Sequence, residues 1–363
     1  GKMVPFAGYN LPVQYEGLGV LKEHLHTRQA GQASLFDVSH MGQIRWHGKD
    51  RVKFIEKMVV GDIASLAEGE AKLSLIMNEQ GTIVDDTVIT NAGDHIYMVV
   101  NGACKWKDMD HFKKYMSGFD VQMEYLETQQ LVALQGKGAK DIVAKLAPSL
   151  NLNTMNFMTG TTATVAGIPN CRVTRCGYTG EDGFEISVSE SQAVNLARAL
   201  LKEPQVKPAG LGCRDSLRLE AGLCLYGNDI DETINPAEAS LMWTIGGPKS
   251  RRRLEQGFLG AEKFLEKDGK PKPITKKRVG FSDMKAPARA HTEIFSADGA
   301  TKIGEVTSGG FGPSFGKPLA MGYVAIAHGA DNTPVQLSVR GKLQPAKVTK
   351  TPFVPTSYYK VAK

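Results

Sequence analysis

The sequence lacks the patterns that mark membrane proteins, secreted proteins and nucleotide-binding enzymes. Its 363 residues contain no apolar run of about 18 residues, which excludes a membrane-spanning helix. There is no Asn-X-Ser/Thr acceptor and no charged N-terminal region followed by an apolar core. The glycine-rich stretch 309–317 has the wrong spacing for a phosphate loop. We therefore expect an ordinary globular protein without a nucleotide-binding module.

Cysteine and histidine are sparse as well. The five cysteines have no Cys-X-X-Cys spacing, so free thiols in a reducing compartment are the simplest interpretation. The eight histidines are scattered, and His24 and His26 form the only close pair, so no metal site is expected. His40 is interpreted as a packed histidine, because no nucleophile or ligand set accompanies it.

Excess positive charge is confined to one segment. Residues 249–278 contain eleven Lys or Arg against four Asp or Glu, a net of +7, whereas the whole chain carries +6. Only Phe258 and Phe264 interrupt this segment, which is unlike the aromatic-rich basic surface of a nucleic-acid-binding protein. Two interpretations stay open: a solvated linker, and a strip that docks an acidic partner.

The length of the chain predicts two or three domains, since a single core stops growing below this size. Between residues 44 and 127 the periodicities predict a β-α-β-β-α-β unit with one additional strand, which we interpret as a ferredoxin-like module. Residues 279–353 have short alternating segments with frequent Gly and Pro, which indicates a small all-β domain.

One stretch, residues 171–188, carries the strongest local signal. Two alternating runs flank an Asp182-Gly183 dipeptide, which favours a tight hairpin. After this turn Phe184 and Ile186 share one face of a strand, so Glu185 lies on the other. Alternation alone would favour a solvated Glu185, since acidic residues are mostly exposed.

The residue order of this stretch is nevertheless specific. The run Gly-Tyr-Thr-Gly-Glu-Asp-Gly-Phe-Glu at 177–185 resembles the signature of the glycine-cleavage T-protein family, the tetrahydrofolate-dependent aminomethyltransferases. Eight further blocks match the family in the same order, at 3–8, 35–42, 84–86, 99–101, 214–222, 225–229, 304–309 and 352–356. The resemblance therefore extends over almost the whole chain. Because it begins at Met3, a removed leader is also expected.

The resemblance implies an α+β fold of three domains. Residues 1–43 and 128–245 would form a discontinuous folate-binding domain, and 44–127 the inserted ferredoxin-like module. A basic linker at 246–278 would lead to an all-β domain at 279–363, a distorted jelly-roll in the family.

The implied reaction transfers an aminomethyl group from the lipoyl arm of H-protein to tetrahydrofolate. Ammonia is released and 5,10-methylenetetrahydrofolate is formed. Tetrahydrofolate, with or without a polyglutamate tail, is the expected co-substrate, and lipoate is carried by H-protein. No metal, nucleic acid or membrane is expected to take part. The residues of the blocks at 175–178 and 352–356 resemble those of eukaryotic members of the family, which implies that the protein is located in the mitochondrial matrix.

Asp86 matches the catalytic position of the family. Asp85 and Asp86 are adjacent in a predicted strand, so only one of them can point into a given cavity. Asp86 could accept a hydrogen bond from N10–H of the folate, stabilise the developing cation, or take up the N5 proton, and these roles stay separate hypotheses.

The remaining site residues are expected to bind the folate. Glu185 can accept the paired N–H donors of a pterin edge, and Arg214 can donate to a ring carbonyl or a glutamyl carboxylate. The alternative for Arg214 is an ion pair with Asp215 or Glu220. By resemblance, Tyr358 contacts the substrate. The other expected contacts are Asn101, Tyr178 and Met41.

Two other functions remain in competition at this level. Folate-binding portions of sarcosine or dimethylglycine dehydrogenases share the fold, but they come with a flavin module whose Gly-X-Gly-X-X-Gly motif is missing here. A non-catalytic folate-binding factor of iron-sulfur assembly would have a Lys-Gly-Cys-Tyr-X-Gly-Gln-Glu run, whereas Cys176 here precedes Gly177 and Tyr178. The absence of both motifs favours the enzyme.

Overall fold

The computed structural model describes residues 1–361, and its strands form four sheets. The first part of the chain contains β1 (Lys2–Phe6), β2 (Tyr9–Gln14), α1 (Gly19–Arg28), β3 (Ala33–Asp37), β4 (Gly42–His47), α2 (Arg51–Met58), β5 (Ala71–Met77), β6 (Ile83–Asn91), β7 (Ile96–Val100), α3 (Lys105–Tyr115), β8 (Gln122–Tyr125) and β9 (Gln129–Gln135). The middle part contains α4 (Ala139–Leu146), β10 (Thr159–Val165), β11 (Ile168–Arg175), β12 (Gly183–Ser189), α5 (Glu190–Leu201), β13 (Val206–Pro208) and α6 (Leu211–Glu220). The last part contains α7 (Arg251–Glu255), α8 (Ala261–Phe264), β14 (Lys276–Ser282), β15 (Glu293–Phe295), β16 (Lys302–Gly312), β17 (Lys317–Ala325), β18 (Pro334–Val339) and β19 (Lys342–Thr349), with short 3-10 helices at Met242–Thr244 and Ile326–His328.

The largest open sheet joins residues from both sides of the predicted insertion. Its strand order is β10-β11-β12-β9-β3-β13, and of its pairs only β13 with β3 is parallel. Strand β3 therefore lies between β9 and β13, although the whole ferredoxin-like module separates β3 from β9 in sequence. This pairing closes the domain that the resemblance predicted to be discontinuous.

The hairpin predicted at 171–188 exists, but its turn is longer than predicted. Strands β11 and β12 pair antiparallel, and residues 176–182 connect them. The residue of this turn with left-handed backbone conformation is Gly180, at φ +79°, and neither Asp182 nor Gly183 adopts it. A Cβ atom on Gly183 would lie 2.6 Å from the carbonyl oxygen of Leu134, so this glycine permits close approach to β9.

The inserted module is ferredoxin-like, as predicted. Its sheet has the order β5-β6-β7-β4-β8, and the additional predicted strand is β5, at the edge beside β6. Helices α2 and α3 cover one face, where Trp46, Phe54 and Phe112 form a buried aromatic core. The opposite face is thus free to pack on another layer.

That second layer is the six-stranded sheet. Phe36, Leu131 and Ala133 of this sheet pack against Tyr97 and Val99 of the module in one buried cluster. Side chains on the same face of the sheet as these apolar residues are consequently held between two sheets, away from bulk water.

The C-terminal domain is a closed six-stranded barrel, in the order β14-β17-β16-β15-β18-β19. Its all-β character agrees with the prediction, and closure leaves no free edge strand. The predicted bounds of this domain, 279–363, include residues 362 and 363, which lie outside the described residues. The domain boundaries themselves stay a prediction.

Two arginines of the basic segment, Arg252 and Arg253, are buried, and Arg251 is half-buried and ion-paired, which corrects both interpretations of the segment at these positions. Arg252 is 2% exposed and donates to the carbonyl oxygens of Glu56 and of Val59, the latter at 2.7 Å. Arg251 binds the carboxylates of Glu56 and Asp62, at 2.5 Å and 2.7 Å. Arg253 is also buried. These hydrogen bonds and ion pairs hold helix α7 against the ferredoxin-like module, because a buried cation is stable only where acceptors of the surrounding protein bind it.

Candidate active site

Asp85 and Asp86 occupy the first half of β6 and point to opposite faces, as alternation predicted. Asp85 is fully buried, and Asp86 is partly exposed. Asn101, which directly follows β7, nevertheless contacts both: its Nδ2 lies 2.8 Å from Oδ1 of Asp85 and 2.9 Å from Oδ1 of Asp86. Its backbone N–H also donates to Oδ2 of Asp85, at 3.0 Å. One side-chain amide thus joins the two carboxylates.

Asp86 has the protonation behaviour of a group prepared for acid-base chemistry. Burial raises the pKa of Asp86 to about 7, and the charge of Asp85 adds to the effect, while Asn101 and Arg214 act in the opposite direction. A carboxyl group with a pKa near 7 can both release and accept a proton at neutral pH.

Glu185 lies between the two sheets, on β12. Among the described residues, the Cys176 thiol is the group that hydrogen-bonds its carboxylate. Burial raises the pKa of Glu185, and the charge of Arg214 opposes this shift. A small cavity of about 10 Å³ adjoins the carboxylate and is also lined by Tyr97 and Arg172. Glu185 is therefore not the solvated residue that alternation alone favours, and it keeps unused acceptor capacity.

Arg214 projects from α6 and stacks over the ring of Tyr178, with 4.7 Å from its Cζ atom to the ring centroid. Its Nη1 is buried and has no hydrogen-bond partner within residues 1–361. The alternative ion pairs are occupied by other cations: Asp215 binds Arg218, and Glu220 binds Arg28 and His24. The charge of Arg214 acts on both Asp86 and Glu185, so these three groups share one region.

The other predicted contacts are distributed around this region. The hydroxyl of Tyr178 donates to the carbonyl oxygen of Cys224, and Met41 packs against the cluster between the sheets. Tyr358 is different, because its ring stacks on Phe157, with centroids 4.1 Å apart. The C-terminal tail thus returns to the domain of the six-stranded sheet, but Tyr358 contacts Phe157 there rather than the Asp86 group. A substrate role for Tyr358 stays a prediction.

His40 is the packed histidine that the sequence predicted. It is 3% exposed, and its ring packs edge-on against Phe6 at 5.3 Å. Burial and then the charge of Arg214 lower the pKa of His40 to about 4, so the imidazole is neutral at physiological pH.

Sequence reasoning missed Asp108 and Lys107, both on α3 beside the site. Lys107 donates to the carbonyl oxygen of Val84 at 2.6 Å and to the hydroxyl of Tyr226 at 2.7 Å. Asp108 is fully buried. A signal existed for Asp108: it falls on the same helical stripe as Met109 and Phe112, where an acidic residue is out of place.

Three further observations bound the site. Within residues 1–361 no three His, Cys, Asp or Glu side chains are grouped so that they could hold a metal ion. No helix in this range is long and apolar enough to cross a membrane. A cavity of about 520 Å³ lies between the 227–234 loop and strands β16 and β17, and none of the predicted site residues lines it.

Comparison with known proteins identifies the family. Residues 1–249 match the GCVT N-terminal domain, and residues 276–355 match the glycine cleavage T-protein C-terminal barrel domain. Mitochondrial aminomethyltransferases of Gallus gallus and Dictyostelium discoideum are 51% and 50% identical to this chain. The alignments span 99% of this chain and 90% and 91% of those two proteins, respectively. The human mitochondrial enzyme is 49% identical over 99% of this chain and 88% of its own length.

A solved structure agrees in fold as well as in sequence. The crystal structure of the glycine cleavage system aminomethyltransferase T from Bartonella henselae superposes with a TM-score of 0.90 at 41% identity, covering 99% of this chain and 96% of that one. The mitochondrial names of the eukaryotic relatives agree with the predicted location. The chain belongs to the glycine cleavage T-protein family, the aminomethyltransferases.

Proposed function

We propose that this enzyme transfers an aminomethyl group from the lipoyl arm of H-protein to tetrahydrofolate, releasing ammonia and forming 5,10-methylenetetrahydrofolate. The observation that carries the proposal is a set of incompletely paired polar groups between the two sheets: the carboxylates of Asp86 and Glu185, which accept from Asn101 and Cys176, and the free Nη1 of Arg214. Withdrawing polar groups from water without a full set of partners is costly, so a site that keeps three of them together is built to receive a polar ligand.

The chemistry of these groups fits a reduced folate. Glu185 offers two acceptor oxygens to the adjacent ring N–H and amino group of a pterin, a paired and charge-assisted contact. Arg214 offers a free N–H donor to a ring carbonyl or to a glutamyl carboxylate. Tyr178, under the guanidinium, fixes the plane of Arg214. We expect Met41 to supply apolar contact and Tyr358 to close the site from the tail.

Asp86 is the residue that we propose to act on the reacting atoms. Fixed by the amide of Asn101, its carboxyl can accept a hydrogen bond from a folate nitrogen and take up the proton lost when that nitrogen attacks the aminomethyl carbon. As an anion it also stabilises positive charge that develops on this carbon as the C–S bond breaks. The two sheets exclude water while both reactants are held in place.

Two measurements test the proposal with the complete chain. Calorimetry with tetrahydrofolate should give saturable binding of one equivalent. An assay with aminomethylated H-protein should then yield methylenetetrahydrofolate and ammonia in equal amounts. Folate binding without turnover would instead support the non-catalytic folate-binding alternative, and no folate binding would contradict both.

A further inference from the structure

A second pair of carboxyl groups lies directly behind the site. Asp108, in the first turn of α3, is fully buried, and its carboxyl group lies against that of Asp85. Neither oxygen of Asp108 has an N–H or hydroxyl partner in the part of the chain that the structure describes. Two ionised carboxylates have no hydrogen to share, so this contact requires that one of the two acids carries a proton.

The surroundings decide where that proton lies. Asp85 already accepts two hydrogen bonds from Asn101, at 2.8 Å and 3.0 Å, and such donors favour its ionised form. Asp108 receives no comparable donor. Burial, followed by the charge of Asp85, raises the pKa of Asp108 to about 11. The neighbouring Lys107 opposes this shift, but its ammonium is engaged by Val84, Tyr226 and Glu232.

These contacts form a chain that ends at the candidate catalytic group. Protonated Asp108 donates to Asp85, and the carboxyl oxygens of Asp85 accept from both the backbone N–H and the Nδ2 of Asn101. The same Nδ2 donates to Asp86. Each link fixes the next, because an amide held at one hydrogen has a defined direction for the other.

We propose that Asp108 is a positioning residue that works as a neutral acid, orienting Asp86 through Asp85 and Asn101. The proposal rests on the function proposed above for Asp86. Asp108 itself touches no reacting atom. Its role requires a hydrogen-bond donor of the right size and does not require a negative charge.

Two substitutions separate the donor from the charge. Asp108→Asn keeps size and an N–H donor toward Asp85, so turnover should stay within about threefold of the parent. Asp108→Leu removes the donor at similar volume, and turnover should fall about tenfold or more while KM for tetrahydrofolate changes by less than about threefold. If Asp108 had a purely structural role, the Leu variant would lose tetrahydrofolate binding as well as turnover, and the loss would not be confined to kcat. Equal turnover of the Leu variant and the parent, or an Asn variant as slow as the Leu variant, would overturn the proposal.

A spectroscopic readout keeps the test independent of catalysis and of the Leu variant's folding. Infrared difference spectra of the parent minus Asp108→Asn at neutral pH should contain the C=O stretch of a protonated carboxyl group. Asp110→Asn, an exposed position on the same helix, is the matched control and should not remove this band. If the difference spectrum lacks this band, Asp108 is ionised and the proposal is wrong, whatever the activity assay gives. If the band is present but the parent does not use tetrahydrofolate, the proposed function fails and the protonation state of Asp108 stands.

Discussion

Two groups of buried carboxylates in this molecule differ in how fully they are paired. Glu220 and Asp229, where the barrel meets α6, are saturated with partners: Glu220 binds His24, Arg28 and two backbone N–H groups, and Asp229 binds Arg218, Ser308 and Thr307. Asp86 and Glu185 are short of donors. Burial alone would raise the pKa of Glu220, but His24, the Phe315 N–H and Arg28 together outweigh it and the pKa is lowered, whereas the pKa values of Asp86 and Glu185 are raised.

The difference separates structural ionic groups from functional ones. A saturated carboxylate ties elements together and has nothing left for a ligand. A carboxylate that is buried without sufficient donors costs free energy in the folded state, and that cost is recovered when a ligand supplies the donors. The same distinction applies to arginines: Arg252 donates hydrogen bonds to carbonyl oxygens of the module, whereas Nη1 of Arg214 has no acceptor among the described residues.

Removing an arginine whose buried donors are fully hydrogen-bonded should have the largest effect on stability. Arg252→Met leaves the carbonyl oxygens of Glu56 and Val59 without their donor, so the free energy of unfolding should fall by roughly 3 kcal/mol. Urea denaturation at pH 7 measures this. Lys249→Met, just before α7, is the matched control and should stay within about 0.5 kcal/mol of the parent. Equal, small changes in both variants would mean that the buried contacts of Arg252 do not stabilise the fold.

Asp86→Asn should mainly affect the chemistry. It keeps size and polarity but removes the charge and the titratable proton, so turnover should fall by about 10²-fold or more while tetrahydrofolate affinity stays within about tenfold. Turnover is measured with saturating tetrahydrofolate and aminomethylated H-protein, and Asp110→Asn serves as the exposed control.

Asp85→Asn is not a silent control for this experiment, because Asp85 and Asp86 share the amide of Asn101. We expect a loss between that of Asp110→Asn and that of Asp86→Asn. A loss larger at Asp85 than at Asp86 would mean that the reacting group lies on the other face of β6.

Glu185→Gln tests the unpaired carboxylate that we assign to the pterin. The neutral amide presents one acceptor oxygen where the pterin edge offers two donors, so tetrahydrofolate binding should weaken by about 1–3 kcal/mol. Calorimetry decides it, with the exposed Glu190→Gln as control. An unchanged dissociation constant in a folded variant would remove Glu185 from the pterin site.

The smallest expected effect is a change in the pH dependence of stability. In the folded protein the pKa of Asp86 is about 7, against an ordinary value of 3.8, so between these pH values only the folded state holds the proton and stability falls as pH rises. Asp86→Asn abolishes this loss. The variant should therefore gain about 2–4 °C in Tm on the parent between pH 4 and pH 8. Parallel Tm curves for the two proteins would show that the pKa of Asp86 is not raised.

The sequence was most informative where local periodicity decides the structure. Alternation predicts a strand from Ile83 to Asn91, and β6 spans these residues. Ser189 with Gln192 has the form of a capping box and predicts a helix from Glu190, where α5 begins. The predicted Ser189 cap is the exception, since its hydroxyl contacts Ser191 instead of a helix N–H group. Local pattern predicts the element better than the hydrogen bond at its end.

Contacts between distant segments could not be obtained in this way. Nothing in the sequence around Arg251 and Arg252 reveals that their guanidinium groups bind the module formed by 44–127, because a cluster of arginines is usually solvated. Likewise Asp85 and Asp108 are far apart in sequence, and only the packing of α3 on β6 brings their carboxyl groups together. The roles of Glu185 and Asp86 came from resemblance, since a single partly buried carboxylate in a strand has no distinctive local pattern.

The return of the C-terminal tail has a consequence for the order of events during synthesis. The signature turn after β11 is held by a hydrogen bond from the Ser357 N–H to the Gly180 carbonyl, at 2.8 Å, and by the contact of Ser357 with Glu181. At roughly 5–20 residues per second, a ribosome needs about ten seconds or more to travel from Gly180 to Ser357. Throughout that interval the nascent turn lacks these partners, even after both open sheets have formed. The site is thus completed last, and a chain released before the tail is made would be folded but deprived of the contacts that hold its signature loop.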